Sequence, residues 1–307
     1  MHAFLLVHPI LISFNMSYIL PHNHNIRSSQ QVLSKTSDES ETIQHRDKRV
    51  QEVYSITNLG GNSTRSILND PTLQSTWAHR AWMVSGCTTL LICFAKSALG
   101  VVDSHRWVGP LIACCIGYVL SDLASGIYHW GIDNYGSAKT LVFGNQIDAF
   151  QHHHKHPWII TKSQFAKNHR ILAGGVTFIV LPINLLCKDP TILAFIGAFS
   201  GCIMFSQQFH TWAHGTKNKL PKIVLALQDV GILVSRSQHV AHHRLPYNNN
   251  YCLVSGLWNN FLDGYKVFEL LERIFFFIFG AQPRSWSGLD LEWTEEIETQ
   301  SLCDSQY

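Results

Sequence analysis

The histidines of this chain are numerous and fall into short groups. The chain has 18 histidines in 307 residues, and ten of them lie at the ends of apolar stretches or just past them. In chain order the four groups are His129, then His152, His153, His154 and His156, then His210 and His214, then His239, His242 and His243. Imidazole is a good ligand for iron, zinc, copper and nickel. The grouping therefore predicts a metal site.

The spacing within the groups is that of ligands on helices. Residues four positions apart lie on the same face of a helix, and His210 and His214 have this spacing. His239 and His243 repeat it, with His242 on the same face, and so do His129 and Asp133. A single pair of this kind is a weak signal, whereas three such groups on one side of a membrane indicate metal binding.

The number of histidines predicts two metal ions. A catalytic zinc usually has three protein ligands, so eight imidazoles are too many for one such ion and suit two ions with about four ligands each. The eight candidate ligands are His129, His153, His154, His210, His214, His239, His242 and His243. Further candidates are the possible ligands His152, His156 and His169, and the carboxylates Asp122, Asp133 and Asp229 as acceptors for ligand N–H groups. Asp122 could instead pair with Lys96 or with a helix end.

Composition and hydropathy predict a membrane protein. Hydrophobic residues make up 46% of the chain and charged residues only 14%, against about 25% charged residues in soluble domains. A helix needs about 20 apolar residues to cross a bilayer, and the candidate spans are residues 82–102, 107–128, 171–187 and 191–209. Residues 223–234 are too short to span and are predicted to lie at the membrane interface or to pack against the other helices, and residues 267–279 are predicted to form an amphipathic helix suited to the surface. The predicted fold is all-α: a multi-pass membrane protein with about four transmembrane helices and a histidine-rich catalytic cap on one face.

The short connections between the spans predict the topology. Residues 103–106 and 188–190 form tight hairpin loops, so both chain ends and all the histidine groups should lie on the opposite side. That side also carries most of the Lys and Arg residues, which favours the cytoplasmic or stromal side. Gly126 is expected to let another helix approach closely. Interfacial anchors are predicted at Trp130, Trp158, Trp212 and Trp258.

The remaining sequence divides into a leader, a membrane domain and a tail. Residues 1–75 resemble a transit peptide, because they are rich in Ser, Asn, Thr and Gln and have no acidic residue before Asp38. The apolar residues 4–20 would also suit a secretory signal or an anchor. We expect the membrane domain at residues 76–300 and a tail at 301–307. The 8 cysteines include no C-x-x-C pair, so a disulfide framework is not expected. The net charge of +2 without a Lys/Arg run does not indicate nucleic-acid binding.

Several segments resemble the plasmanylethanolamine desaturase and plastid fatty acid desaturase 4 family. The segments, in the family's order and spacing, are residues 122–133, 151–157, 210–214, 227–229, 238–243, 250–252 and 256–259. The resemblance covers about residues 78–296. It implies an O₂-dependent, non-haem di-iron desaturase with two Fe²⁺ ions, acting on acyl chains of intact glycerophospholipids. His156 stands where an ether-lipid member would have an acid, and with the leader it favours the plastid branch, which forms a 3-trans double bond in palmitate on phosphatidylglycerol. The other branch forms a vinyl ether.

The resemblance also implies partners and a location. The chain has neither a G-x-G-x-x-G nor a C-x-x-C-H motif, so we expect an external electron donor such as ferredoxin or cytochrome b5. A chloroplast membrane is predicted, with the endoplasmic reticulum as the alternative. From the residue types alone, a di-iron lipid hydroxylase stays open. A membrane metal transporter is the alternative that is not an oxidase. A zinc hydrolase is less favoured because no H-E-x-x-H is present.

Overall fold

In a computed structural model of the chain, residues 71–286 are described, and they form helices and connecting loops with no strand among them. The helices are α1 (Trp77–Ser104), α2 (Val108–Asn134), α3 (Gly144–Lys155), α4 (Ile159–Lys162), α5 (Phe165–Leu186), α6 (Pro190–His214), α7 (Lys222–Asp229), α8 (Arg236–His242), α9 (Asn259–Gly264) and α10 (Val267–Phe279). Most of the predicted leader and all of the tail lie outside the described residues, so the domain limits stay predictions.

Four of these helices confirm the predicted membrane architecture. The helices α1, α2, α5 and α6 are long and apolar enough to cross a bilayer. The connection between α1 and α2 is only residues 105–107, and that between α5 and α6 is only residues 187–189. At the second connection, the Asp189 carboxylate accepts hydrogen bonds from the backbone N–H groups of Thr191 (2.8 Å) and Ile192 (3.0 Å). This cap satisfies donors at the start of α6 that have no partner within the helix.

Two of the long helices continue past their apolar stretches. The predicted span that ends at residue 128 belongs to a helix that continues to Asn134, and the one that ends at residue 209 continues to His214. Backbone hydrogen bonding does not depend on side-chain polarity, so the helix persists where hydropathy falls. The candidate ligands of α2 and α6 therefore lie on the same helices that cross the membrane.

The four long helices pack through an apolar core and through a close backbone approach at a glycine. An apolar core between α1, α5 and α6 contains Met83, Leu90, Cys93, Ala173, Val176, Val180, Leu193 and Met204. The α2 helix packs on α6 at Gly117, where a Cβ atom would lie 2.8 Å from the carbonyl oxygen of Phe195. A larger residue at this position would push the two ligand-bearing helices apart.

Shorter helices supply or support the histidine groups: α3 carries His153 and His154, α8 carries His239 and His242, and α10 contacts α2 through Glu272 and Trp130. The side of the membrane on which the histidine groups lie stays a prediction. The helix of residues 222–229 is shorter than the predicted segment 223–234, because Gly231 turns the chain at a φ of +74°. The α10 helix has the predicted bounds, and its apolar residues Phe277, Ile278 and Phe279 are exposed.

Candidate metal centre

The eight candidate histidines converge with Asp133 into two groups. In each group, the possible ligand atoms all lie within 4.8 Å of one another. The five-histidine group consists of His153, His210, His214, His239 and His243. The Asp133 group consists of His129, Asp133, His154 and His242. Both groups combine side chains from the long helices with side chains from the short ones. The short helices and their loops, residues 135–164 and 215–286, form the predicted cap, so this cap and the membrane helices must assemble together to form the groups.

The five-histidine group centres on the ring nitrogen of His214. Its Nε2 atom lies 3.0 Å from Nε2 of His153, 3.2 Å from Nε2 of His210 and 2.7 Å from Nε2 of His239. The Nε2 atoms of His239 and His243 are 3.1 Å apart. Nitrogens that face each other at this distance repel one another when each presents a lone pair. A metal cation among them would remove that repulsion.

The Asp133 group has the spacing of four ligands around one ion. The Oδ2 atom of Asp133 lies 3.2 Å from Nε2 of His129 and 3.3 Å from Nε2 of both His154 and His242. His154 and His242 are themselves 3.3 Å apart, between their Nε2 atoms. Four donors arranged tetrahedrally around an ion at the usual bond length of about 2.0 Å are about 3.3 Å apart. Both Asp133 oxygens and His129 Nε2 are buried with no hydrogen-bond partner within the described residues.

Backbone carbonyls fix the orientation of two rings in the Asp133 group. Nδ1 of His129 lies 2.9 Å from the carbonyl oxygen of Tyr251, and Nδ1 of His242 lies 2.7 Å from that of Asn249. A carbonyl oxygen only accepts, so each Nδ1 carries the proton. With the proton on Nδ1, Nε2 is the nitrogen of each ring that faces the group and is available to a metal.

Burial keeps the ligand candidates of the cap neutral. It lowers the pKa of His242 to about 4 and holds the pKa values of His153, His239 and His243 well below the ordinary value of a histidine. The neighbouring histidines act in the same direction, because a second positive charge would repel the first. At neutral pH these rings are therefore neutral, which is the form in which a histidine binds a metal.

Comparison with known proteins now decides the family. The family model of the lipid desaturase domain matches residues 118–286, more than half of the chain. The chain belongs to this family. The matched region contains every residue of the two groups. Membership makes the chain a lipid desaturase, an oxidoreductase that acts on lipid in the membrane. It does not favour the metal-transporter or hydrolase alternatives.

Individual relatives identify the compartment. The chain is 59% identical over 223 residues to "Fatty acid desaturase 4, chloroplastic" of Arabidopsis thaliana, over 73% of this chain and 69% of that protein. It is 56% identical over 231 residues to "Fatty acid desaturase 4-like 1, chloroplastic" of the same plant, over 75% and 78%. It is 32% identical over 183 residues to "Plasmanylethanolamine desaturase" of Myxococcus xanthus, over 57% and 63%. No solved structure matches. The plant relatives and the four apolar helices assign this desaturase to a chloroplast membrane.

The histidines of the short α8 helix and of the residue after it are divided between the two groups of this desaturase. His239 and His243 belong to the five-histidine group, whereas His242 belongs to the Asp133 group. The spacing predicts that all three lie on one face. The α8 helix is only seven residues long, with its last residue at His242, and it lies between the groups, so adjacent positions at its end point to different ones.

Of the further candidates, Asp133 belongs to a group, whereas His152, His156, His169 and Asp229 lie outside both groups. The rings of His152 and His156 stack with their centroids 4.7 Å apart, and His152 is exposed. Nδ1 of His169 donates to the carbonyl oxygen of Phe165 (2.7 Å), one turn earlier in α5. Asp229 is exposed. None of these four residues contributes an atom to the two groups.

Asp122 has a structural role that the sequence did not predict. Its fully buried carboxylate accepts backbone hydrogen bonds from Val254 (3.1 Å), Ser255 (2.8 Å), Gly256 (3.0 Å) and Trp258 (3.2 Å). Lys96 donates to the carbonyls of Asn184 and Cys187, so it does not pair with Asp122. Gly126 faces this same loop and not another helix, since a Cβ there would lie 2.5 Å from Sγ of Cys252.

Sequence reasoning also missed residues that hold the groups in place. Trp130 is predicted to be an interfacial anchor, but it is buried, and its indole donates to Glu272 at 3.1 Å. Glu272 itself is 2% exposed. The only available signal was a glutamate within the apolar residues 267–279. The carbonyl groups of Asn249 and Tyr251 gave no signal, because backbone acceptors do not depend on residue type.

Proposed function

We propose that this desaturase holds two iron ions and uses O₂ to remove two hydrogens from an acyl chain of an intact glycerophospholipid. The specific reaction proposed is formation of the 3-trans double bond of palmitate on chloroplast phosphatidylglycerol. The observation that carries the proposal is the convergence of eight histidines and one aspartate into two adjacent groups at one end of four membrane helices.

Each group would hold one iron. The five histidines would bind the first, and His129, His154, His242 and Asp133 would bind the second. Asp133 is thereby assigned as a ligand, since its oxygen lies among the ring nitrogens that face the group. Bound iron supplies the capacity to activate O₂ for cleavage of unactivated C–H bonds, which no side chain has.

The chain's own residues orient the ligands and exclude water. The carbonyls of Asn249 and Tyr251 hold two rings with Nε2 facing the group. His129, His239 and His242 are fully buried. A buried site protects reactive chemistry from bulk water and from side reactions.

The position of the groups supports reaction near the lipid head group. The α2 and α6 helices carry their ligands in their last turns, so the groups lie at one end of the membrane-crossing segments. Carbons close to the ester would reach this level most easily. The higher identity to the chloroplast relatives, 59% and 56%, than to the ether-lipid desaturase, 32%, supports the acyl substrate.

An external protein would supply the electrons. Two-hydrogen removal with reduction of O₂ to two waters needs two electrons in addition to those from the substrate. The sequence has no dinucleotide-binding or haem-attachment motif. Ferredoxin, or alternatively cytochrome b5, is the proposed class of donor.

Leaf lipid analysis tests the substrate. We expect a plant that lacks this chain to lose 3-trans-hexadecenoate from phosphatidylglycerol, and plants that overexpress it to gain that acid. Complementation with the wild-type chain should restore it, and complementation with His214→Ala should not. Unchanged 3-trans-hexadecenoate in both the mutant and the overexpressing plants would contradict the assignment. Accumulation of a vinyl ether or a 3-hydroxyacyl chain would replace it with the ether-lipid or hydroxylase reaction.

A further inference from the structure

A buried carboxylate contacts α2 next to the Asp133 group but touches no residue of either group directly. The Oε1 atom of Glu272, in α10, accepts hydrogen bonds from Nε1 of Trp130 (3.1 Å) and Oγ of Ser285 (3.2 Å). Its Oε2 atom accepts one from Nε1 of Trp286 (2.8 Å). Glu272 therefore connects α10 and the segment Arg284–Trp286 to the residue that follows His129 in α2.

The same segment holds the C-terminal end of α2. The Arg284 guanidinium donates to the carbonyl oxygen of Asp133 at 2.7 Å and also contacts those of Ile132 and Gly136. The backbone N–H of Ser285 donates to Oδ1 of Asn134 at 3.1 Å. These carbonyls are at the end of a helix and have few partners within it. A cation is also favourable there because of the helix dipole.

The contacts continue to the other side of the Asp133 group. The side-chain amide of Asn134 donates to the hydroxyl of Tyr251 at 2.9 Å. The carbonyl oxygen of Tyr251 accepts from Nδ1 of His129. Hydrogen bonds from α10, from the segment Arg284–Trp286 and from the loop at Tyr251 therefore fix residues 129–134 of α2. His129 and Asp133 lie within this held turn.

Packing alone does not account for a glutamate at this position. The surroundings of Trp130 are apolar: its ring stacks on Phe268 with centroids 5.4 Å apart. A hydrophobic side chain would fill such a site at lower cost in desolvation than a carboxylate. A carboxylate differs in offering two acceptor oxygens, which fix two indole N–H groups from different segments in defined directions.

We propose that Glu272 is a positioning residue that sets the α2 turn bearing His129 and Asp133, and thereby the metal affinity of the Asp133 group. The proposal rests on the two-metal function proposed above. Residues that orient metal ligands typically change metal affinity or activity by about 10–100-fold when replaced. Since Glu272 acts through Trp130, we expect the lower end of this range.

The test uses Glu272→Gln and a second variant that should rescue it. Glutamine has one acceptor oxygen and one donor NH₂ group, so it can accept from one indole while its NH₂ faces the N–H of the other. Trp286→Phe removes one of the two indole donors. In the double variant, the glutamine oxygen can accept from Trp130 and the mismatch disappears.

The measurement is anaerobic Fe²⁺ titration of the purified full-length chain in detergent, together with desaturase activity. We expect Glu272→Gln to weaken binding of one of the two irons by about 10-fold and to leave the other unchanged. The double variant should recover most of that loss. The matched control is Leu193→Ala, which removes a buried side chain from the core between α1, α5 and α6. It should lower thermal stability without selective loss of one iron.

The outcomes separate this proposal from the proposed function. If Glu272→Gln binds both irons as the wild type does, or if it loses both equally, as a general loss of folding would, Glu272 is only structural. The same conclusion follows if the double variant is no better than Glu272→Gln. If the wild-type chain itself binds fewer than two irons, the two-metal function fails and the positioning role fails with it.

Discussion

Replacing His214 or His242 by alanine is expected to abolish desaturase activity, and each variant should lose a different metal ion. His214 is the residue whose Nε2 atom lies closest to three others in the five-histidine group, and His242 lies 3.3 Å from the Asp133 carboxylate. Each change removes a fixed nitrogen donor that water cannot replace in position. Because replacement of residues that only orient ligands already costs about 10–100-fold, we expect losses beyond about 100-fold.

A control variant must show that activity is lost because a metal ligand is removed, and not because any histidine of the cluster is replaced. His152→Ala is the matched control, because His152 belongs to the same sequence cluster as His153 but is exposed and outside both groups. It should keep nearly full activity and both metals. Activity would be measured with saturating reduced donor and lipid. Full activity in either His214→Ala or His242→Ala would remove that residue from the ligand set.

Replacing Asp122 by alanine should prevent the cap from folding onto the membrane helices. The change leaves four backbone N–H groups in residues 254–258 without their acceptor in a buried place. Each buried donor left without a partner costs about 1–3 kcal/mol. We therefore expect the free energy of unfolding to fall by more than about 3 kcal/mol, with a large drop in thermal stability and in the yield of metal-loaded protein.

A second aspartate provides the control for Asp122. Asp189 also accepts two backbone N–H groups, but at an exposed helix start. Asp189→Ala should cost only about 1 kcal/mol and leave metal binding intact, since water can take the place of the carboxylate. Thermal unfolding in detergent and size-exclusion chromatography would compare the two variants. Equal effects would show that the buried contacts of Asp122 do not hold the cap.

The sequence predicted the membrane helices and the histidines of the two groups because both depend on residue type. Apolar length identified the four long helices, and imidazole grouping identified the eight histidines that converge. The spacing of His239, His242 and His243 could not predict their division between two groups, because that depends on where the short α8 helix lies. Only the structure supplies this position.

The carboxylates show the limit of sequence reasoning most clearly. Asp122, Asp133 and Asp229 had equal standing as candidates, yet one accepts backbone N–H groups, one lies among the ligand nitrogens and one is exposed. A carboxylate suits all three environments, so residue type alone does not separate them. Glu272 was overlooked because its partners, Trp130 and Trp286, are brought together only by tertiary packing.

The metal content of the purified wild-type chain tests the central claim most directly. The full-length protein would be isolated in detergent from cells grown with ordinary trace metals, and its iron and zinc would be counted per chain by elemental analysis. We predict close to two irons and little zinc, in agreement with two separate ligand groups. One metal per chain, or zinc in place of iron, would contradict the two-iron desaturase.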